Sequence, residues 1–162
     1  MTEAAIALGS NLGDSRATLE RAVALIDERV GRVVARSAWL ETAALVHPDD
    51  PVRDHPPYLN GVVIAETGLP ALDLLATLLE IERMLGRVRD PAAPPWQPRT
   101  VDLDLILLGE QATVLPGLTL PHPRMQERDF VLRPLVSVRP AWRHPLLGRS
   151  AAELLQALKQ QR

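Results

Sequence analysis

The chain of 162 residues contains no cysteine. That excludes disulfides, thiolate metal sites and a cysteine nucleophile. Lysine is almost missing too: Lys159 stands alone, and every other basic residue is arginine. A P-loop lysine is thereby excluded, and any anion site must use the planar guanidinium fork. Aromatic residues make up only 3%, with Tyr58 the sole tyrosine and Phe130 the sole phenylalanine. No apolar run approaches the roughly 18 residues of a membrane span. Neither sign of charge dominates: 18 basic against 20 acidic residues leave a net −2. That argues against nucleic acid or an anionic membrane as a partner. Met1 to Leu8 carry Glu3 where a secretory leader has basic residues, and the apolar run stops at Gly9, so no leader is expected. What remains, with 46% hydrophobic residues, is a cytoplasmic protein forming a single domain over 1–162, with enough apolar content for a sizeable core.

Periodicity divides the chain. Ala4 to Leu8 reads as a strand, and Gly9 to Asp14 as a turn, with Asp14 or Ser15 as helix cap. Leu19, Ala22, Val23, Ile26 and Val30 repeat at helical spacing, and Gly31 stands where a C′ glycine belongs. Val33 to Leu40 predicts a second strand. Glu41 to Pro57 is polar and proline-rich, the composition of a lid or binding loop. Leu59 to Thr67 predicts a third strand, and Pro70 an N1 position opening a helix that ends at Gly86. Arg87 to Pro98 is a second irregular stretch. Val101 to Leu108 predicts the fourth strand, with a short one around Gln111 to Val114 beside it. Pro116 to Pro123 reads as turns, with short helices over Phe130 to Val138 and Ala151 to Leu158. The order strand, helix, strand, strand, helix, strand implies an α+β, ferredoxin-like sandwich: a mostly antiparallel sheet with helices on one face and long active-site loops over the other face or an edge.

The sharpest local pattern is Val101-Asp102-Leu103-Asp104-Leu105. Residues i and i+2 of a strand share a face, so both carboxylates project together, with Cα atoms roughly 6–7 Å apart. On a buried strand they would repel each other and lose hydration, and a hard divalent cation relieves both costs. Taken alone, the pair fits the solvent face of a half-exposed strand equally well. Arg87, Arg89 and Arg99 precede this strand; His122, Arg124 and Arg128 follow it. Acids that hold Mg²⁺ beside guanidinium forks suit a polyphosphate. Singly, each arginine fits a solvated charge, and His122 a structural histidine between prolines. Tyr58 and Phe130 are candidates for stacking on a flat heterocycle, and Trp96 for capping a site from its loop. A core role fits Phe130 and Trp39 as well.

These residues together resemble a known family, the 6-hydroxymethyl-7,8-dihydropterin pyrophosphokinases. The match rests on Ile6 to Gly13, Tyr58-Leu59-Asn60, Ile81-Glu82 with Gly86-Arg87-Val88-Arg89, Trp96 to Asp104, Pro121-His122-Pro123 and Arg128 to Leu132. They follow the family's order from Ile6 to about Pro140. The resemblance implies transfer of a diphosphate from ATP to the hydroxymethyl oxygen of the pterin, with release of AMP, in folate biosynthesis. By position it implies that Asp102 and Asp104 bind two Mg²⁺ ions and act catalytically with Arg87 and Arg99. It assigns the pterin to Asn60, to groups near Thr42, Ala43 and Leu45, and to the rings of Tyr58 and Phe130. It assigns ATP to Arg87, Arg89, Trp96, Arg99, His122 and Arg128, and makes Glu82 a supporting acid that orients an arginine or a metal-bound water. A monomer is expected. The chain departs from the family pattern at Ala43, Pro95 and Gln97 and at His55-Pro56-Pro57, and its added prolines imply a smaller loop rearrangement. Another Mg-dependent phosphotransferase, a two-metal nuclease, a ferredoxin-like RNA-binding module and a non-catalytic relative that keeps the fold and binds a partner are the rival readings. The net charge opposes a nuclease, and acids on a central strand oppose an RNA module.

Overall fold

The computed structural model describes residues 1–11, 14–42, 57–86 and 101–161. Its plan follows from which strands are apolar on both faces. β1 (Thr2–Ser10) is one: Ala4, Ile6 and Leu8 enter one core while Ala5 and Ala7 face another. It therefore lies inside the sheet, antiparallel to both β4 (Tyr58–Thr67) and β5 (Asp102–Leu108). β2 (Arg32–Arg36) and β3 (Leu40–Thr42) both pair with β4, giving the order β2-β4-β1-β5 with β3 also on β4. The antiparallel, ferredoxin-like sheet is thus as the sequence implies.

α1 (Ser15–Arg29) and α2 (Ala71–Met84) cover the first face. Leu19, Ile26, Leu74, Leu78 and Ile81 are wholly buried there, each contributing roughly 1.5–3 kcal/mol by leaving water. The sequence expectation put helices on one face only. The structure adds a second layer: α3 (Asp129–Val138) and α4 (Ala151–Gln160) lay Val131, Leu132, Leu135, Leu154 and Leu155 against Val62, Ile64, Ile106 and Leu107. Ser150 and Glu153 close a reciprocal capping box at the start of α4. Arg139, just past α3, grips Glu3 through two hydrogen bonds of 3.1 and 3.0 Å, and Trp142 Nε1 donates to Gly109 O at 3.2 Å. Both contacts lie at the end of the sheet where β1 begins and β5 ends.

Several local expectations are corrected. The strand expected over Val33 to Leu40 breaks at residues 37–39 into β2 and β3. Pro70 is the cap of α2, not its first helical residue. Gly31 is not left-handed; it is small because a Cβ there would lie 1.9 Å from Glu66 O. The strand near Gln111 to Val114 forms as β6 (Thr113–Leu115), but it pairs with β7 (Leu118–Leu120) rather than β5. Its partner lies inside the stretch expected to be turns only. Pro116 and Gly117, the latter at φ 77°, make the two-residue connection, and a proline followed by a left-handed glycine is a tight-turn signature.

Candidate active site

β5 is an edge strand whose alternation decides the site. Leu103 and Leu105 enter the first core, so Asp102 and Asp104 face the opposite side. There Asp102 lies beside Gly9 and Asp104 beside Ala7 of β1. The leucines are buried as expected, but Asp102 is half-buried and Asp104 exposed. The acids therefore keep much of their hydration, in line with the half-exposed alternative that the sequence left open.

Among the described residues, two contacts cover the free edge of β5. Glu82 of α2, only 4% exposed, accepts the backbone N–H of Leu103 at Oε2, 2.8 Å away. His122 N–H donates to Ile106 O at 2.9 Å. An uncovered edge would leave such groups open to strand addition. Glu82 thus acts on the strand backbone midway between the two acids. The His122 ring accepts Arg124 N–H at Nδ1, 3.2 Å away, so this hydrogen bond assigns the neutral ring's proton to Nε2. Burial pushes the His122 pKa below its usual value; the charge of Asp104 opposes that, and Arg128 and Arg124 reinforce it.

The polar corner continues across the sheet. Asn60 of β4 faces Gly9, and Gly9 faces Asp102, in one row. At a strand spacing near 4.8 Å, Asn60 and Asp102 stand roughly 10 Å apart at the backbone. Asn60 Nδ2 donates to Thr42 Oγ1 at 3.2 Å, and Thr42 lies opposite Tyr58. Gly9 makes the row possible, since a Cβ there would lie 2.9 Å from Asn60 Oδ1. Sequence reading missed Gly9 as a site residue, taking it only as part of a turn. Phe130, in the first turn of α3, packs against the second core, and the Arg128 guanidinium lies 5.8 Å from its ring centre. The sequence assigned those two side chains to different ligands; here they are stacked.

A cavity of about 390 Å³ opens beside Asp104. Leu75 of α2, Leu105 of β5, Leu115 and Leu118 of the β6–β7 hairpin, and His122 line it, with Thr119 as a further polar group. Sequence reading missed the hairpin wall, although the Pro116-Gly117 turn signalled it. The expected roles of Ala43, Leu45, Arg87, Arg89, Trp96 and Arg99, and the proline-rich loop departures, lie outside the described residues.

Among the described residues, no group of three or more histidine, aspartate or glutamate side chains is placed to hold a metal. Two carboxylates at a solvent edge fit a Mg²⁺ ion that completes its shell with phosphate oxygens and water. They do not fit a cation caged by protein alone.

Fold and site together define a ferredoxin-like α+β protein with an amide, paired acids and an imidazole gathered at one corner of its sheet. Comparison with known proteins names the family. Residues 5–140 match the family described as 7,8-dihydro-6-hydroxymethylpterin-pyrophosphokinase (HPPK), and the chain belongs to it. It is 43% identical over 155 residues to the 2-amino-4-hydroxy-6-hydroxymethyldihydropteridine pyrophosphokinase of Pseudomonas aeruginosa, covering 94% of this chain and 89% of that one. It is 38% identical over 154 residues to the Synechocystis protein of the same name, covering 94% and 74%. The fold matches a solved HPPK-DHPS in complex with substrates at TM-score 0.75, with 14% identity over 99% of this chain and 44% of that one. Plasmodium falciparum HPPK-DHPS with STZ-DHP gives 0.77, with 13% identity over 99% and 44%. The chain thus spans less than half of those solved chains. No helix among the described residues is long and apolar enough to cross a membrane.

Proposed function

We propose that this chain transfers the terminal diphosphate of ATP to the hydroxymethyl oxygen of 6-hydroxymethyl-7,8-dihydropterin, a step of folate biosynthesis. The pterin oxygen bonds to the β-phosphorus, the bond from that phosphorus to the α-phosphate oxygen breaks, AMP leaves, and the hydroxyl proton passes to solvent. Family membership supports the reaction. The observation that carries its assignment to this corner is the row Asn60, Gly9, Asp102. It sets a heterocycle-reading amide about two strand spacings from a phosphate-side carboxylate.

Asn60, held by Thr42, reads the edge of the pterin, and the rings of Tyr58 and Phe130 hold its faces. Asp102 and Asp104 would hold two Mg²⁺ ions, which would supply neutralisation of phosphate charge and polarisation of the attacking hydroxyl. The nucleoside of ATP enters the leucine-lined cavity beside Asp104. His122 presents Nε2–H as a donor and Arg128 leaves Phe130 to meet a phosphate oxygen. Glu82 keeps β5 straight beneath the acids. The loop residues Arg87, Arg89, Trp96 and Arg99, with Ala43 and Leu45, complete the two substrate sites. Chemistry of this kind needs alignment and charge neutralisation more than a covalent intermediate, so no protein base is invoked. The chain acts on both substrates as a monomer, and consumption of ATP agrees with the cytoplasm. The RNA-module reading fares badly at this corner, where acids stand in place of an aromatic platform.

The test is AMP release with ATP, Mg²⁺ and the reduced pterin, omitting each in turn. Production of AMP only with all three present is expected. AMP formed without the pterin, or ADP as product, would overturn the reading.

A further inference from the structure

The strand that begins as β2 and resumes as β3 is interrupted beside Gly61 of β4, and the interruption is built from specific bonds. Ser37 N–H donates to Val62 O at 2.9 Å. Its Oγ accepts Val62 N–H at 2.9 Å and donates to Ala38 O, also at 2.9 Å. A side-chain hydroxyl thus replaces a backbone carbonyl in the ladder. Two residues later the Trp39 ring lies directly on Gly61, where a Cβ would stand 2.6 Å from ring atoms Cε3 and Cζ3. The indole is gripped from outside as well: Nε1 donates to Glu20 Oε2 at 3.0 Å, and the Arg36 guanidinium lies 5.6 Å from the ring centre. Arg36 is itself ion-paired with Glu20.

The position of this packing is what matters. Trp39 immediately precedes β3, and Gly61 immediately follows Asn60. β3 carries Thr42, whose Oγ1 accepts the Asn60 amide at 3.2 Å on the other face of the sheet. The depth at which the ring sits on Gly61 therefore sets how β3 lies along β4. Breaks in an edge strand commonly re-aim side chains next to active sites.

We propose that Trp39 and Gly61 form a positioning pair for the pterin corner: the ring fixes β3, and β3 fixes the Thr42–Asn60 contact. This rests on the reading of Asn60 and Thr42 as pterin contacts. Neither Trp39 nor Gly61 touches a substrate in that reading.

The experiment measures KM for both substrates, kcat and Tm in Gly61→Ala, Trp39→Phe, the double variant, Trp39→Ala and Asn60→Ala. A methyl at position 61 forces the ring back by about 1 Å, which is expected to raise the pterin KM about tenfold. The ATP KM is expected to stay within about twofold, since uniform loss of active protein lowers kcat without splitting the two KM values. Trp39→Phe removes the ring atoms that the methyl meets, so the double variant should return to within about threefold of Trp39→Phe alone. Trp39→Ala reads the same coupling without a clash, should Gly61→Ala fail to fold; it too should raise the pterin KM and spare that of ATP. The pair is refuted if Gly61→Ala and Trp39→Ala leave the pterin KM unmoved, if both KM values rise alike, or if the phenylalanine fails to rescue. Asn60→Ala separates the two readings. If it leaves the pterin KM unmoved, the assignment of this corner to pterin fails; if it raises that KM while position 61 is silent, only the Trp39–Gly61 pair fails.

Discussion

Glu82 Oε2 accepts the backbone N–H of Leu103 at 2.8 Å, and Leu103 lies between Asp102 and Asp104. One buried carboxylate therefore fixes the strand from which both acids project. Glu82→Ala leaves that edge N–H without its acceptor, at a cost of roughly 1–3 kcal/mol. Turnover should fall as well, because the acids lose their common anchor. Glu82→Gln keeps an acceptor oxygen and should recover most of the stability. Urea unfolding and kcat on the same samples check this; full activity in a destabilised Glu82→Ala would rule out the positioning role.

Asp104 is exposed and Asp102 half-buried. Asp104→Asn should therefore change stability by no more than about 0.5 kcal/mol. Turnover should fall at least about a hundredfold, the scale of losing several kcal/mol of charge stabilisation in the transition state. Asp102→Asn should behave similarly, and chelation of Mg²⁺ should abolish AMP release by the wild type. AMP release that persists in excess chelator would disprove the metal role.

Gly9 has Asn60 Oδ1 where its Cβ would be, at 2.9 Å. The group displaced by Gly9→Ala is the end of a flexible side chain, so the fold should survive. The Asn60 amide is expected to move, weakening pterin binding about tenfold. A binding titration with the reduced pterin in the presence of a non-hydrolysable ATP analogue tests it, and unchanged affinity would count against Asn60 as a pterin contact.

His144 is 4% exposed, and its Nδ1 accepts the N–H groups of Leu146 and Leu147 at 3.2 and 3.1 Å. Burial pushes its pKa below the usual 6.5. A histidine with a lowered folded value takes up a proton more readily when unfolded. Stability is therefore intact above about pH 6.5 and declines as the pH falls below it. His144→Ala should lower the neutral plateau, by freeing two N–H groups, and flatten this decline. A decline of equal slope in the variant would clear His144 of the effect.

A second acid limb follows at lower pH. Hydrogen bonds from Arg139 hold Glu3 below its usual 4.5, and those from Arg36 do the same for Glu20, against a smaller opposing effect of burial in each case. A carboxylate with a lowered folded value stabilises the protein above its unfolded value, and that contribution disappears as pH falls through the folded one. Both groups are partly exposed, so the loss is modest and should shrink further in high salt. Glu3→Gln should lower stability at pH 7 and leave it nearly unchanged at pH 3 relative to the wild type.

The order of the principal strands and helices and the Asp102–Asp104 pair were legible because local periodicity and spacing encode them; the Asn60 segment was legible only through its resemblance to the family. Alternation places both acids on one face of β5 wherever that strand lies. Helical spacing marks α1 and α2, and Pro116-Gly117 marks a turn even where the partner strand went unread. Other features are relations between distant segments that no local pattern carries. The register across β4, β1 and β5 brings Asn60, Gly9 and Asp102 into one row. The approach of Trp39 requires Gly61 to lack a side chain, Glu82 reaches across to Leu103, and α3 and α4 cover the second face. Sequence alone marked the candidates for chemistry, because side-chain type and spacing are local properties. Tertiary structure decided which of them meet, because strand pairing and close packing depend on contacts between residues far apart along the chain.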